Sequence, residues 1–136
     1  MSPTFLTVED VLEIHEAQIR RFGGAAGIRD LKGLESALAQ PAAGFGGQML
    51  HKDLHEMAAA YAFHIAMNHP FLDGNKRVGL VAASVFLELN DVDLAESDVL
   101  YDAMIAVVEK RMDKRGLADT LRSLSTPRSK ESPPPS

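Results

Sequence analysis

The sequence predicts an all-α protein, a compact single-domain bundle of about six helices. Apolar residues recur at helical spacing almost throughout, the periodic stretches open on capping residues or close on Gly and Pro, and 136 residues suffice for one core. Thr7 followed by Val8, Val11, Leu12, Ile14, Ile19 and Phe22 predicts a capped amphipathic helix with Asp10 in its first turn and Gly23-Gly24 at its end. Asp30 caps a second helix carrying Leu31, Leu34, Ala37 and Leu38, which Pro41 stops. Residues 41–50, with Gly44, Gly46 and Gly47 ahead of Met49-Leu50, break the pattern and are expected to form a short hairpin or flap, or else a plain connecting loop.

A third helix is expected over 54–67, where Ala58, Ala59, Ala60, Ala62 and Ala66 let neighbouring helices approach closely. The fourth, about 75–89, is apolar on nearly all faces and is therefore the central helix. A fifth starts around Ser97-Asp98 and carries Val99, Leu100, Ala103, Met104, Val107 and Val108, and a short sixth covers 117–124 after Gly116. The domain is thus expected to occupy 1–124. Residues 125–136, with Pro133-Pro134-Pro135, have the composition of a disordered tail.

Bulk properties narrow the function classes. A net charge of -5 argues against a general nucleic-acid surface. The absence of cysteine excludes disulfides and thiol chemistry and agrees with a reducing compartment. The amino terminus lacks a signal-peptide pattern, and the apolar runs near 57–67 and 78–87 are too short for a bilayer, so a soluble cytoplasmic protein is expected.

The chemistry concentrates in His69-Pro70-Phe71-Leu72-Asp73-Gly74-Asn75-Lys76-Arg77. Pro70 disfavours helical backbone at His69, so the preceding helix stops there and leaves the imidazole at a loop. Asp73-Gly74 reads as a turn, and the next helix begins near Asn75 with its unpaired N–H groups and positive dipole end facing that loop. Lys76 and Arg77 add cations where a first turn ordinarily favours anions, which makes sense if a polyanion binds there. Asp73 offers the oxygen ligand that a phosphate-bound Mg²⁺ needs. Base, carboxylate and anion hole fit phosphoryl or nucleotidyl transfer. Taken singly, a helix-end histidine, an Asp-Gly turn and a Lys-Arg pair each have ordinary structural explanations; their order together does not.

These nine residues resemble the signature loop of the Fic/Doc family, His-x-Phe-x-Asp/Glu-Gly/Ala-Asn-Gly/Lys-Arg, at every position. Phe5-Leu6-Thr7 with Asp10-Val11, Arg21-Phe22-Gly23-Gly24, Gly27-Ile28-Arg29-Asp30 and Leu34-Glu35-Ser36-Ala37-Leu38 are similar to the amino-terminal half of its death-on-curing (Doc) branch, and the resemblance covers about 5–124. It implies ATP and Mg²⁺ as cofactors, His69 as the general base toward a target hydroxyl, and Asp73 as the Mg²⁺ ligand. Gly74 and Asn75 would form the anion hole, Arg77 would brace nucleotide phosphates, and Phe71 would be the buried plug of the loop. Lys76 stands where adenylyl-transferring relatives carry Gly; in Doc-like members a Lys goes with an inverted nucleotide, so that the γ-phosphate is transferred. Leu80 replaces the second Arg of adenylylating relatives and points the same way, whereas Gly74, often Ala in Doc-like members, is the Fic-like feature. The resemblance further implies a toxin held by an antitoxin acting in trans, with elongation factor Tu as the protein substrate, and a flap in which Gln48 and Met49 are candidates for substrate docking. Ser84 to Glu88 has the spacing of an internal inhibitor, but Leu89 follows it inside the core helix. The alternatives are Fic-type adenylyl transfer and a non-catalytic partner-binding module.

The remaining histidines have other readings. His51 and His55 stand at a zinc-ligand spacing if both lie on one helix, His64 is expected to be a satisfied core residue, His15 a surface residue, and His55 has a second possible role in positioning the loop.

Overall fold

The computed structural model describes residues 3–45, 48–49, 51 and 53–128. Among the described residues six helices follow one another: α1 (Val8–Phe22), α2 (Leu31–Ala39), α3 (Leu54–Asn68), α4 (Asn75–Leu89), α5 (Asp98–Val108) and α6 (Lys114–Ser123). Five of them start on a side chain that accepts a backbone N–H of their own first turn. Thr7 accepts from Asp10 while the Asp10 carboxylate accepts from Thr7, a reciprocal box; Asp30, Asp53, Ser97 and Asp113 cap the others. α4 differs: its N-cap is Gly74, and no side chain caps it.

α3 and α4 form the centre of the bundle and pack most extensively on each other. Ala58, Ala59, Ala60, Ala62 and Ala66 of α3 are fully buried, as are Val78, Ala82, Ala83, Phe86 and Leu87 of α4. The approach is closest at Gly79, where a Cβ would lie 2.8 Å from the Ala62 carbonyl oxygen. α6 and α2 flank α3, while α1 and α5 flank α4. Buried Tyr61 joins the amino-terminal segment to this core, its hydroxyl accepting the Leu6 N–H at 2.8 Å. Burial pushes that phenol up to about 12.

The described residues also form two small antiparallel ladders. β1 (Gly44–Phe45) pairs with β2 (Gln48–Met49), in the register Gly44↔Met49 and Phe45↔Gln48, where a flap is expected. β3 (Val92–Leu94) pairs with β4 (Ser125–Pro127), a connection without an alternation signal in the sequence. Backbone pairing to β3, the Arg128 N–H bond to the Asp91 carbonyl and an Arg128–Asp93 ion pair tie residues 125–128, the first of the expected tail, to the turn after α4 and to β3. Residues 129–136, the rest of the expected tail, lie outside the described residues. A correction concerns α6, which begins at Lys114 rather than 117 because Asp113 caps it and Gly116 is accommodated in its first turn.

Candidate active site

His69 ends α3 in the left-handed conformation, φ 49° and ψ 53°, which turns the chain toward α4. For a non-Gly residue this costs about 1–2 kcal/mol. Arg29 offsets the cost from the α1–α2 connection: its Nε–H donates to the His69 carbonyl at 2.6 Å and its Nη2–H to the Asn68 carbonyl at 2.9 Å. The same connection is stitched along the signature loop. Arg29 and Asp30 N–H groups donate to the Pro70 carbonyl, Leu72 N–H donates to Gly27, and Ile28 forms a β-bridge with Phe71.

Phe71 is fully buried and lies flat on His15, ring centroids 3.9 Å apart and planes within 8°. His15 Nε2–H donates to the Asp73 carbonyl at 3.0 Å. The expectation of a surface role for His15 is therefore corrected: it is buried beneath the loop. Its signal was present, since Val11, His15 and Ile19 recur at four-residue spacing and share the inward face of α1.

Asn75 organises the loop. Its side-chain oxygen accepts the Phe71 N–H and its amide donates to the Phe71 carbonyl, both at 3.0 Å, which fixes the orientation of the amide. The second amide proton points to His69 Nδ1 at 3.0 Å. Neutral His69 thus carries its own proton on Nε2 in this conformation; accepting a proton at Nε2 requires the other tautomer and release of this bond. The imidazole is exposed and held at the first turn of α4.

Gly74 has φ 84°, so a Cβ there would be strained, and it leaves the start of α4 without a side-chain cap. The N–H groups of Asn75, Lys76 and Arg77 have no acceptor among the described residues and are open to an external one. Half-buried Lys76 stands in the same turn. The Arg77 guanidinium lies over the rings of Phe22 at 4.6 Å and Tyr101 at 5.6 Å, positioned by α1 and α5. Such a set of donors and cations can cradle a polyphosphate.

Asp73 is exposed; one carboxylate oxygen accepts the Ala25 N–H at 2.7 Å, and the other has no hydrogen bond among the described residues. No hydrogen bond links Asp73 to His69 among the described residues. The described residues contain no cluster of three or more metal-ligating side chains. A single carboxylate with a spare oxygen fits Mg²⁺ delivered on phosphates, which keeps most of its ligands as water and phosphate oxygens.

The sequence matches the model of the Fic/DOC family over residues 5–87. This chain belongs to the Fic/Doc family. It is 32% identical over 119 residues to the protein kinase Doc of Escherichia phage P1, covering 88% of this chain and 94% of that protein. It is 37% identical over 120 residues to the toxin Doc of Mycolicibacterium smegmatis (strain ATCC 700084 / mc(2)155), covering 86% of this chain and 90% of that one. The family assignment is of the Doc branch, and the signature loop is the family segment whose geometry is described above.

Other expected site residues are placed elsewhere or not at all. Gln48 and Met49 lie in β2, but their side chains are outside the described residues. His51 precedes the α3 cap Asp53 while His55 is inside α3, so the two do not share a helical face as zinc ligands would. His55 pairs with Asp53 at 3.9 Å, at the opposite end of α3 from the loop. His64 has a partner, Lys114. Sequence reasoning missed Arg29 and Ala25 as supports of the loop, and apart from the family resemblance around Arg29 neither carries a local signal.

Proposed function

We propose that this protein is a Doc-like toxin that acts as a protein kinase, moving the γ-phosphate of ATP to a Ser or Thr hydroxyl of a target protein and thereby inhibiting translation. The observation that carries this reading is the uncapped, Gly74-started N-terminus of α4, with the His69 ring held by Asn75 against the same turn. The hydroxyl oxygen attacks the γ-phosphorus, the bond to the β-phosphate bridge breaks, ADP leaves, and His69, released from Asn75 into its Nδ1–H tautomer, takes the hydroxyl proton at Nε2. Gly74, the N–H groups from Asn75 onward, Lys76 and Arg77 hold the phosphates. Mg²⁺ at Asp73 would neutralise phosphate charge. Lys76 and Leu80 favour γ-phosphoryl over adenylyl transfer, while Gly74 is the feature that keeps Fic-type adenylylation as the second reading.

The toxin name of one relative supports restraint by an antitoxin binding in trans, and the proposal places the action in the cytoplasm. No described helix is long and apolar enough to cross a membrane, which agrees with this reading. Elongation factor Tu is the target to be tested first. Mass spectrometry of a lysate incubated with the protein and ATP identifies the modified peptide. Added phosphate, lost with His69→Ala, is the expected result; added AMP would select the second reading, and no addition would favour a non-catalytic module.

A further inference from the structure

A pocket of about 530 Å³ between α3 and α6 is lined by His51, Glu56, Lys114, Arg115, Asp119 and Arg122, none of them part of the signature loop. α3 itself, 15 residues or about 22 Å long, separates its cap Asp53 beside this pocket from His69. The pocket combines three features that each ask for an anion.

Lys114 is half-buried at the first position of α6, where the helix dipole disfavours a cation. Its ammonium donates to His64 Nε2 at 2.9 Å, and among the described residues it forms no ion pair. A lone pair on that nitrogen is needed for the bond, so His64 is neutral. Burial first, then the ammonium and His51, push the His64 imidazole down to about 4. Burial also lowers Lys114 and His51, so the charged form of each is disfavoured as the pocket stands.

His51 is buried and its Nε2 has no hydrogen-bond partner among the described residues. A buried ring nitrogen left unsatisfied is destabilising until something pairs with it. Arg115 is exposed at the rim and, among the described residues, has no ion pair, whereas Arg122 is already bound to Asp53 at 2.9 Å and Asp119 at 2.7 Å. Lys114 and Arg115 are thus the lining cations without an ion pair among the described residues, and the Glu56 carboxylate lines the same pocket.

We propose that this pocket is a second oxyanion site that takes a phosphate group, with Lys114 and Arg115 as its charge partners and His51 as its buried donor. Donors on three side chains suit a tetrahedral oxyanion better than a planar carboxylate. The volume admits either free phosphate or a phosphate ester. This inference does not depend on the proposed kinase activity.

Imidazole ¹⁵N–¹H spectra of the full chain at pH 7 and constant ionic strength resolve the five histidines and test it. Titration with inorganic phosphate is expected to shift the His51 and His64 signals saturably. Titration with O-phosphoserine in parallel shows by relative affinity whether the free ion or an ester is preferred. Lys114→Met and, at the exposed rim, Arg115→Gln are each expected to weaken binding about tenfold or more, the loss of one charged hydrogen bond. Shifts reproduced by chloride, shifts confined to His69, or binding unaltered in both folded variants would overturn the proposal. A response at His69 reports the signature loop separately, so the two sites fail independently.

Discussion

His69 reaches its place through Arg29, which touches no substrate in the proposed reaction, and Asn75, whose backbone N–H also faces the phosphates there. Arg29 satisfies the last carbonyls of α3, which the left-handed turn would otherwise leave open, and Asn75 fastens both the Phe71 backbone and the imidazole. Arg29→Ala is expected to lower the transfer rate at least about tenfold with little change in the apparent KM for ATP. Arg29→Lys is not expected to restore it, because one ammonium lacks the planar fork that reaches two carbonyls. Asn75→Ala leaves the buried Phe71 N–H without an acceptor, so urea unfolding should show a loss of about 1–3 kcal/mol alongside loss of activity. Wild-type stability in Asn75→Ala would contradict the bidentate bond. Arg29 was not readable from local pattern because its partners, Asn68 and His69, lie some forty positions away and are backbone carbonyls, which carry no residue identity.

At the level of elements, the caps and stops made most of the fold legible. Thr7, Asp30, Ser97 and the start at Asn75 mark helix beginnings by chemistry local to each turn, and the structure uses all four boundaries. The β3–β4 ladder was hidden because Val92–Leu94 and Ser125–Pro127 are three residues each and stabilise one another only across a long separation. In the site, the signature loop was readable as a compact motif, whereas its floor depended on placing His15, which apolar counting overlooks. The α3–α4 contact yields a direct prediction. Gly79→Ala places a methyl 2.8 Å from a backbone carbonyl that cannot rotate away, so a loss of about 1–3 kcal/mol is expected in chemical denaturation. Neutral behaviour would mean that the helices separate there at no cost.

For the molecule as a whole, the histidines set the response to acid. Burial lowers His51, His55 and His64, the last to about 4, so the unfolded chain takes up protons near 6.5 before the folded one does. Their contribution is complete above the unfolded value and declines as pH falls from about 6.5 toward 4. For His64 the fall is about 1–2 kcal/mol after allowance for solvent screening. Asp53 acts at lower pH: burial raises its carboxyl, but the Glu56 N–H and Arg122 outweigh that and hold it below its usual value. Urea midpoints at pH 7 and pH 5 should differ in this direction, and His64→Gln should reduce the difference. The central claim is that the assembled loop transfers the γ-phosphate. Purified protein, ATP labelled on either the γ- or the α-phosphate, and a lysate as source of target test it most directly: label from the γ position on a protein band, absent with His69→Ala, is the predicted result, and label from the α position alone would contradict it.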